Sequence, residues 1–380
     1  MIKRRTDSVL MKRKTSEDEA RTLRIPRFAL IFYAIAAASG VLFVIFLSSE
    51  KFADFFNRYI SSFVRGVLAH LTSWIPFSLA EFLLLLLIPI IVLLAIFGIR
   101  KYADTWRGVG IYCVSLLSVI ALVFSIFTIG FAPGYRGTTL DEKLGIDRRD
   151  VSAEELYATA LILSEELGAI SNQIGYSPET HFSVMPYGPT EMSDRLNEAY
   201  ALACDDYAFL PRLRSRIKPV MLSKAMSYTH ITGVYTFFTG EANINVAFPD
   251  YTLPFTAAHE LSHQRGVARE DEANFMAFLV CLRSEDVYLR YSGYLNLYEY
   301  VAAALYEASP ELYWQAYATL PNRVRAEMAA YSTFFEQYRD SVASDVSEAV
   351  NDTFLTLHGT EGTKSYGMVV DLAVAYYRDR

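Results

Sequence analysis

The amino-terminal third of the chain is dominated by three long runs of apolar side chains, at about residues 28–47, 82–99 and 109–131. Each run reaches or approaches the roughly 20 residues that a helix needs to cross the hydrocarbon of a bilayer. None of them contains a charged residue, and Pro89 in the second run is tolerated in membrane helices because neighbouring groups satisfy the freed carbonyl. The pattern predicts a membrane region over residues 28–131 with three transmembrane helices.

Basic residues near these runs predict the orientation. Lysine and arginine are frequent in residues 1–27, and the short connection after the second run carries Arg100, Lys101 and Arg107. Because loops rich in lysine and arginine stay in the cytoplasm, residues 1–27 are predicted to form a basic cytoplasmic tail. The region after the third run is then extracytoplasmic, and the protein is expected in the cell membrane with the lipid bilayer as a partner. The first run is too long for the apolar core of a signal peptide, so it is interpreted as a permanent anchor.

Between the first and second runs, apolar residues recur at helical spacing over about residues 52–71, with Lys51, Asp54, Arg58 and Arg65 elsewhere on the helix. This spacing predicts an amphipathic helix on the exterior side. Two interpretations stay open. The helix either lies in the outer interface of the bilayer or packs on the exterior domain.

Residues 132–380 have the composition of a soluble domain that can bury a core of its own. The run from Ser152 to Glu155 is a capping box, and it predicts a helix that continues towards Gly168. Further helices are predicted over residues 192–210, 286–308, 310–320, 323–347 and 363–377.

Two runs rich in β-forming residues, 233–238 and 242–248, are separated by Thr239 and Gly240 and predict a hairpin. Residues 243–248 could bind an extended peptide by main-chain pairing, or the hairpin could simply cover the core. The predicted fold class is therefore mainly α: three transmembrane helices, then a mostly helical α+β domain with a small sheet.

Charge and cysteine content narrow the functional classes. The formal net charge is -7, with an acidic exterior domain, which argues against nucleic-acid binding. The chain has three cysteines, which imply no disulfide framework, although pairing of Cys204 with Cys281 stays open. The oligomeric state is not predicted by any pattern in the sequence.

The chemistry is indicated by the run His259-Glu260-Leu261-Ser262-His263. On a helix, positions four apart share a face, so both imidazoles can bind one metal ion. Glu260 is about 100° around the helix from His259, where it can reach a water on that metal but cannot be a third ligand. Neutral imidazoles, a Lewis-acidic Zn²⁺ and a nearby carboxylate are the components of a zinc hydrolase.

A tetrahedral catalytic zinc takes three protein ligands and leaves the fourth position to water. The acidic start of the next predicted helix offers Glu270 and Glu272, and Glu270 is favoured because it shares a face with Asn274. This pair resembles the third-ligand segment of glutamate-type zincins (gluzincins). By that resemblance, Asn274 would orient a ligating histidine.

A wider resemblance covers most of the chain after the membrane segments. Residues 253–256, the histidine motif, 264–266, 270–275 and 290–294, together with 218–220 and 239–245, resemble a family of bacterial membrane proteins catalogued as a domain of unknown function, family 3810. The resemblance implies a few amino-terminal spans followed by a zincin-like domain with a metallopeptidase site. It implies no particular substrate.

The sequence therefore predicts a membrane-anchored zinc metallopeptidase that acts on a peptide or protein. His259, His263 and Glu270 would bind Zn²⁺, and Glu260 would be the general base. Tyr291, Tyr294 and His230 are candidates to stabilise the oxyanion. The alternative is a non-catalytic assembly or sensory protein whose metal site is structural.

Overall fold

A computed structural model describes residues 24–357, 360 and 368–378, and it divides the chain into two compact units. Within the described residues, the small unit comprises 24–45 and 81–129, and the large unit comprises 46–80 and the residues from Gly130 onwards. The predicted basic tail lies, up to residue 23, outside the described residues. The predicted exterior helix around residues 52–71 thus belongs to the same unit as the carboxy-terminal region.

Three apolar helices match the predicted spans: α1 (Arg27–Ser48), α4 (Leu79–Tyr102) and α5 (Trp106–Gly130). By length and composition all three can cross a membrane, which supports membrane insertion. The ends of the helices differ from those of the apolar runs by one to three residues. Within the small unit, the hydroxyl of Tyr33 donates to the carbonyl of Val114, at 2.8 Å.

The segment between α1 and α4 is helical over residues 50–73 and is called the joining helix. It consists of α2 (Glu50–Phe55), a π-helical stretch (Phe56–Ser61) and α3 (Ser62–Ser73). It packs on the rest of the large unit: Asp54 accepts a hydrogen bond from the backbone of Thr138 at 3.1 Å and pairs with Lys143 at 3.0 Å. The joining helix therefore packs on the domain that follows the third apolar helix, as the second of the two interpretations predicted.

The remainder of the large unit is mainly helical. A 3₁₀ turn (Ala132–Tyr135) is followed by α6 (Leu140–Leu144), α7 (Ala153–Ser171), α8 (Pro189–Asp206), α9 (Ser223–Ser227), α10 (Thr252–Gln264), α11 (Glu270–Arg283), α12 (Val287–Ala308), α13 (Pro310–Thr319), α14 (Asn322–Glu336), α15 (Val342–Leu357) and α16 (Val369–Arg378). The core is formed where α12 packs on α7 and where α10 packs on α11. Cys204 and Cys281 are both free thiols, so they do not form the disulfide that had been left open.

Local sequence signals account for several helix ends. The capping box at Ser152 is confirmed: its hydroxyl accepts from the backbone of Glu155, whose side chain accepts from the backbone of Ser152. The single helix predicted over 323–347 was wrong, because α14 and α15 are separated by a turn. Ser341 accepts a hydrogen bond from the backbone of Ala343 at 3.2 Å and so starts a new helix.

A three-stranded sheet of order β1-β3-β2 lies beside α10. The predicted hairpin is confirmed, with β2 (Gly233–Thr236) antiparallel to β3 (Glu241–Ile244), and β1 (Ile217–Pro219) pairs with β3 in parallel. Because β3 is paired on both sides, residues 243 and 244 cannot accept an extended peptide, and the rest of the run 243–248 is not part of the sheet. The edge strand next to α10 is β2.

Candidate metal centre

A tight turn between α10 and α11 brings the sequence-predicted ligands together. Gly266 adopts a φ of 95°, which favours glycine. A Cβ at this position would also lie 2.6 Å from the side-chain oxygen of Asn57 and against the guanidinium of Arg65. The chain therefore reverses within residues 265–269, and the first turn of α11 faces the last turn of α10.

The side-chain donor atoms of His259, His263 and Glu270 form a small triangle. The two Nε2 atoms are 2.9 Å apart, and one carboxylate oxygen of Glu270 lies 3.1 Å from Nε2 of His259 and 3.5 Å from Nε2 of His263. Ligands about 2.1 Å from a tetrahedral zinc ion are separated from each other by roughly 3.4 Å. The three distances bracket this value, so the donor set fits a divalent ion such as Zn²⁺.

The orientation of His263 is fixed by its second ring nitrogen. Nδ1 of His263 lies 2.8 Å from the carbonyl oxygen of Val267, which can only accept, so Nδ1 carries the proton. In the neutral ring this leaves the lone pair of Nε2 directed at Glu270 and His259, as metal binding requires. The ring of Phe131 packs against His263, with ring centres 5.9 Å apart.

The electrostatics of the cluster favour a cation between these side chains. All three are largely buried, with 6–9 % of each residue exposed. Burial alone would lower the pKa of His263, but the charge and hydrogen bond of Glu270 overcome it and raise that pKa to about 9. Burial likewise works against ionisation of Glu270, yet the two histidines hold its pKa well below its usual range. The carboxylate is therefore ionised, and it stabilises positive charge at the centre of the triangle.

Glu260 lies next to this triangle and is not part of it. It is buried with 4 % exposed, and its carboxylate is hydrogen-bonded to the backbone of Tyr235 on β2. Burial raises the pKa of Glu260, which makes its carboxylate a stronger base. The strand approaches closely because residue 233 is glycine: a Cβ there would lie 2.6 Å from a carboxylate oxygen of Glu260.

Of the two candidates for the third ligand, Glu270 lies with the histidines and Glu272 does not. The carboxylate of Glu272 accepts hydrogen bonds from the backbone of Leu140 at 3.0 Å and from Arg269 at 3.1 Å. Asn274 is buried one turn after Glu270 and interacts with the hydroxyl of Tyr300, and Nδ1 of His259 has no hydrogen-bond partner in the described part of the chain. The orienting role of Asn274 stays a prediction.

The three predicted oxyanion donors are engaged elsewhere. The hydroxyl of Tyr291 donates to the carboxylate of Glu327, and Tyr294 is hydrogen-bonded to Glu166. Nε2 of His230 bonds a backbone carbonyl, at 2.7 Å.

Tyr300 on α12 is a residue that the sequence analysis missed. Burial raises the pKa of Tyr300, and the charge of nearby Glu270 raises it further, so its hydroxyl stays protonated beside the cluster. No local motif distinguishes this residue from the many other tyrosines of α12. Its place depends on how α12 packs against α11.

A family model described as "Protein of unknown function (DUF3810)" matches residues 56–374. The chain belongs to this family. The match begins within the joining helix and includes α4, α5 and both helices of the candidate metal centre. No curated protein matches the chain, and no solved structure matches it. The description of the family states no activity.

Proposed function

We propose that this protein is a membrane-anchored zinc metallopeptidase with a zincin-like catalytic domain outside the cytoplasm. The proposal is carried by one observation, the convergence of two imidazole nitrogens and one carboxylate oxygen beside a separate buried carboxylate, Glu260. Structural zinc sites usually have four protein ligands, whereas catalytic sites have three. The group found among the described residues has three.

His259, His263 and Glu270 would hold the ion. A zinc ion bound there would lower the pKa of water towards neutrality and would polarise a peptide carbonyl. Glu260 accepts the proton of the attacking water and then donates it to the leaving amine. Tyr300, whose charge interaction with Glu270 puts it near the cluster, would donate a hydrogen bond to the developing oxyanion. The edge of β2 that faces away from β3 would pair with an extended peptide next to Glu260.

Metal analysis of the purified full-length protein tests the site. Wild type should contain about one zinc ion per chain, and His263→Ala should contain almost none, because one of three ligands is lost. His70→Ala, which changes an exposed histidine, is the matched control and should keep the wild-type content. Equal zinc in wild type and His263→Ala would exclude the site.

A digest of an unbiased peptide library by the zinc-loaded protein tests the reaction. If all peptides stay intact, the proposal that the protein is a peptidase is contradicted.

Gly233→Ala tests the position of Glu260 without changing a functional side chain. The added methyl group would lie 2.6 Å from the carboxylate of Glu260 and 2.8 Å from Thr256, so the carboxylate has to move. We expect hydrolysis to fall about 100-fold, since a misplacement of about 1 Å has effects of that size, while the zinc content stays unchanged. Gly175→Ala is the control, because a Cβ at that position meets no atom within 4 Å. Wild-type activity in Gly233→Ala would contradict the assigned role of the carboxylate.

A further inference from the structure

The joining helix exposes a continuous row of large apolar side chains. They recur every four residues and end in a tryptophan, and we call them the aromatic stripe: Phe55, Tyr59, Phe63, Val67, Leu71 and Trp74. Phe63 is 72 % exposed and Trp74 is 79 % exposed. Single apolar residues scattered over a protein surface are normal, but a continuous row of this kind marks an interaction site.

Over α3 the opposite face of the joining helix is largely polar and buried, which is the reverse of a helix on a water-soluble domain. Within Ser62–Ser73 the buried residues are Ser62, Arg65, Ala69 and Thr72. Arg65 donates from Nε to the carbonyl of Gln264 at 2.9 Å and from Nη1 to the carbonyl of Gly130 at 2.7 Å. In α3 the arginine points inwards and the large apolar side chains Phe63, Val67 and Leu71 are exposed, which suits apolar surroundings.

Buried charges from the sheet fix the end of the joining helix. Lys218 on β1 donates to the carbonyl of Thr72 at 2.7 Å. Glu241 on β3 accepts from the backbone of Leu79 at 3.1 Å and of Ala80 at 2.9 Å. Burying a lysine and a glutamate is unfavourable unless their partners are in place. The aromatic stripe is therefore held in one orientation relative to the sheet and to α10.

The position of the joining helix in the chain indicates what covers the aromatic stripe. It is separated from α1 by Ser49 alone, and from α4 by residues 74–78. If α1 and α4 cross the bilayer, both ends of the joining helix are at the same membrane surface, and its length of about 36 Å extends along that surface. Tyrosine and tryptophan, present in the stripe as Tyr59 and Trp74, are the residues enriched at membrane interfaces.

We infer that the aromatic stripe is immersed in the interfacial layer of the lipid bilayer and that the joining helix holds the candidate metal centre at the membrane surface. Arg65 contacts both Gln264, next to the metal ligand His263, and Gly130, the last residue of α5. Only the thickness of the joining helix therefore separates the aromatic stripe from the turn between α10 and α11. The two interpretations of the joining helix are not exclusive, because one face packs on the large unit and the other faces lipid.

Tryptophan fluorescence quenching tests the inference in the full-length protein. The chain has three tryptophans, Trp74, Trp106 and Trp314. A variant with Trp106→Phe and Trp314→Phe retains Trp74, and a variant with Trp74→Phe and Trp106→Phe retains Trp314, which is 59 % exposed on α13 and is the matched control. Both are reconstituted into phosphatidylcholine vesicles whose acyl chains carry bromine at a shallow or a deep position.

Trp74 should be quenched by brominated lipid, and more strongly by the shallow than by the deep bromine, while Trp314 should be equally bright in brominated and plain vesicles. Equal emission of Trp74 in brominated and plain vesicles would overturn the inference. A second copy of the chain is the competing occupant, and Phe63→Cys detects it. A disulfide-linked dimer formed in vesicles by Phe63→Cys and not by wild type would also overturn the inference. These outcomes do not depend on zinc or on peptide hydrolysis.

Discussion

Glu260→Gln is expected to retain a full complement of zinc and the thermal stability of wild type, and to hydrolyse peptides about 10²–10⁴ times more slowly. Zinc is retained because Glu260 contributes no atom to the triangle of His259, His263 and Glu270. Stability is retained because glutamine has the same shape and can still accept the hydrogen bond from the backbone of Tyr235. The rate falls because a neutral amide cannot accept a proton from water.

The experiment combines metal analysis, thermal unfolding and a peptide digest on the same preparations. Glu179→Gln, an exposed glutamate, is the control for the substitution itself and should resemble wild type in all three measurements. Hydrolysis by Glu260→Gln at the wild-type rate would reject the general base. If the zinc is purely structural, the zinc-loaded wild-type protein will cleave no peptide at all, and this distinguishes a structural site from the proposed enzyme.

The histidine motif could be predicted from the sequence because its geometry is local. Residues four apart on a helix share a face whatever the rest of the chain does, so His259 and His263 needed no knowledge of the fold. The choice between Glu270 and Glu272 was less secure, since it depends on how the chain turns after His263. That turn is decided by Gly266 and by Asn57 and Arg65, about 200 residues earlier in the chain.

Long-range packing also explains what could not be predicted. Tyr300 lies beside Glu270 because α12 packs on α11, and no pattern within α12 indicates this contact. The amphipathic pattern of the joining helix was visible, but its apolar face was open to two assignments. Only the partners of the buried face, among them Gln264 and Lys218, show that the polar side packs inwards.

Arg65→Ala is expected to destabilise the large unit by about 3–5 kcal/mol, since Arg65 is a buried cation that bonds three carbonyl groups. These carbonyls belong to Gln264, Gly130 and Asn57, and the guanidinium is 1 % exposed. Burial lowers the pKa of Arg65 to about 10, so the group remains charged at neutral pH. Truncation removes the arginine donors from the buried carbonyls of Gln264 and Gly130, whereas the carbonyl of Asn57 keeps the backbone N–H of Ser62, and it leaves an empty space against Gly266.

Thermal unfolding of the full-length protein in detergent measures this effect. For a domain of this size each kcal/mol shifts Tm by about 2–4 °C, so a decrease of roughly 10 °C is expected. Arg58 lies on the same helix and is half-buried, but it makes none of these contacts. The Tm of Arg58→Ala should therefore stay close to that of wild type. Because Arg65 also supports the turn between the metal ligands, zinc affinity should fall about tenfold or more in Arg65→Ala. If Arg65→Ala and Arg58→Ala unfold at the same temperature with equal zinc affinity, the joining helix does not support the metal centre.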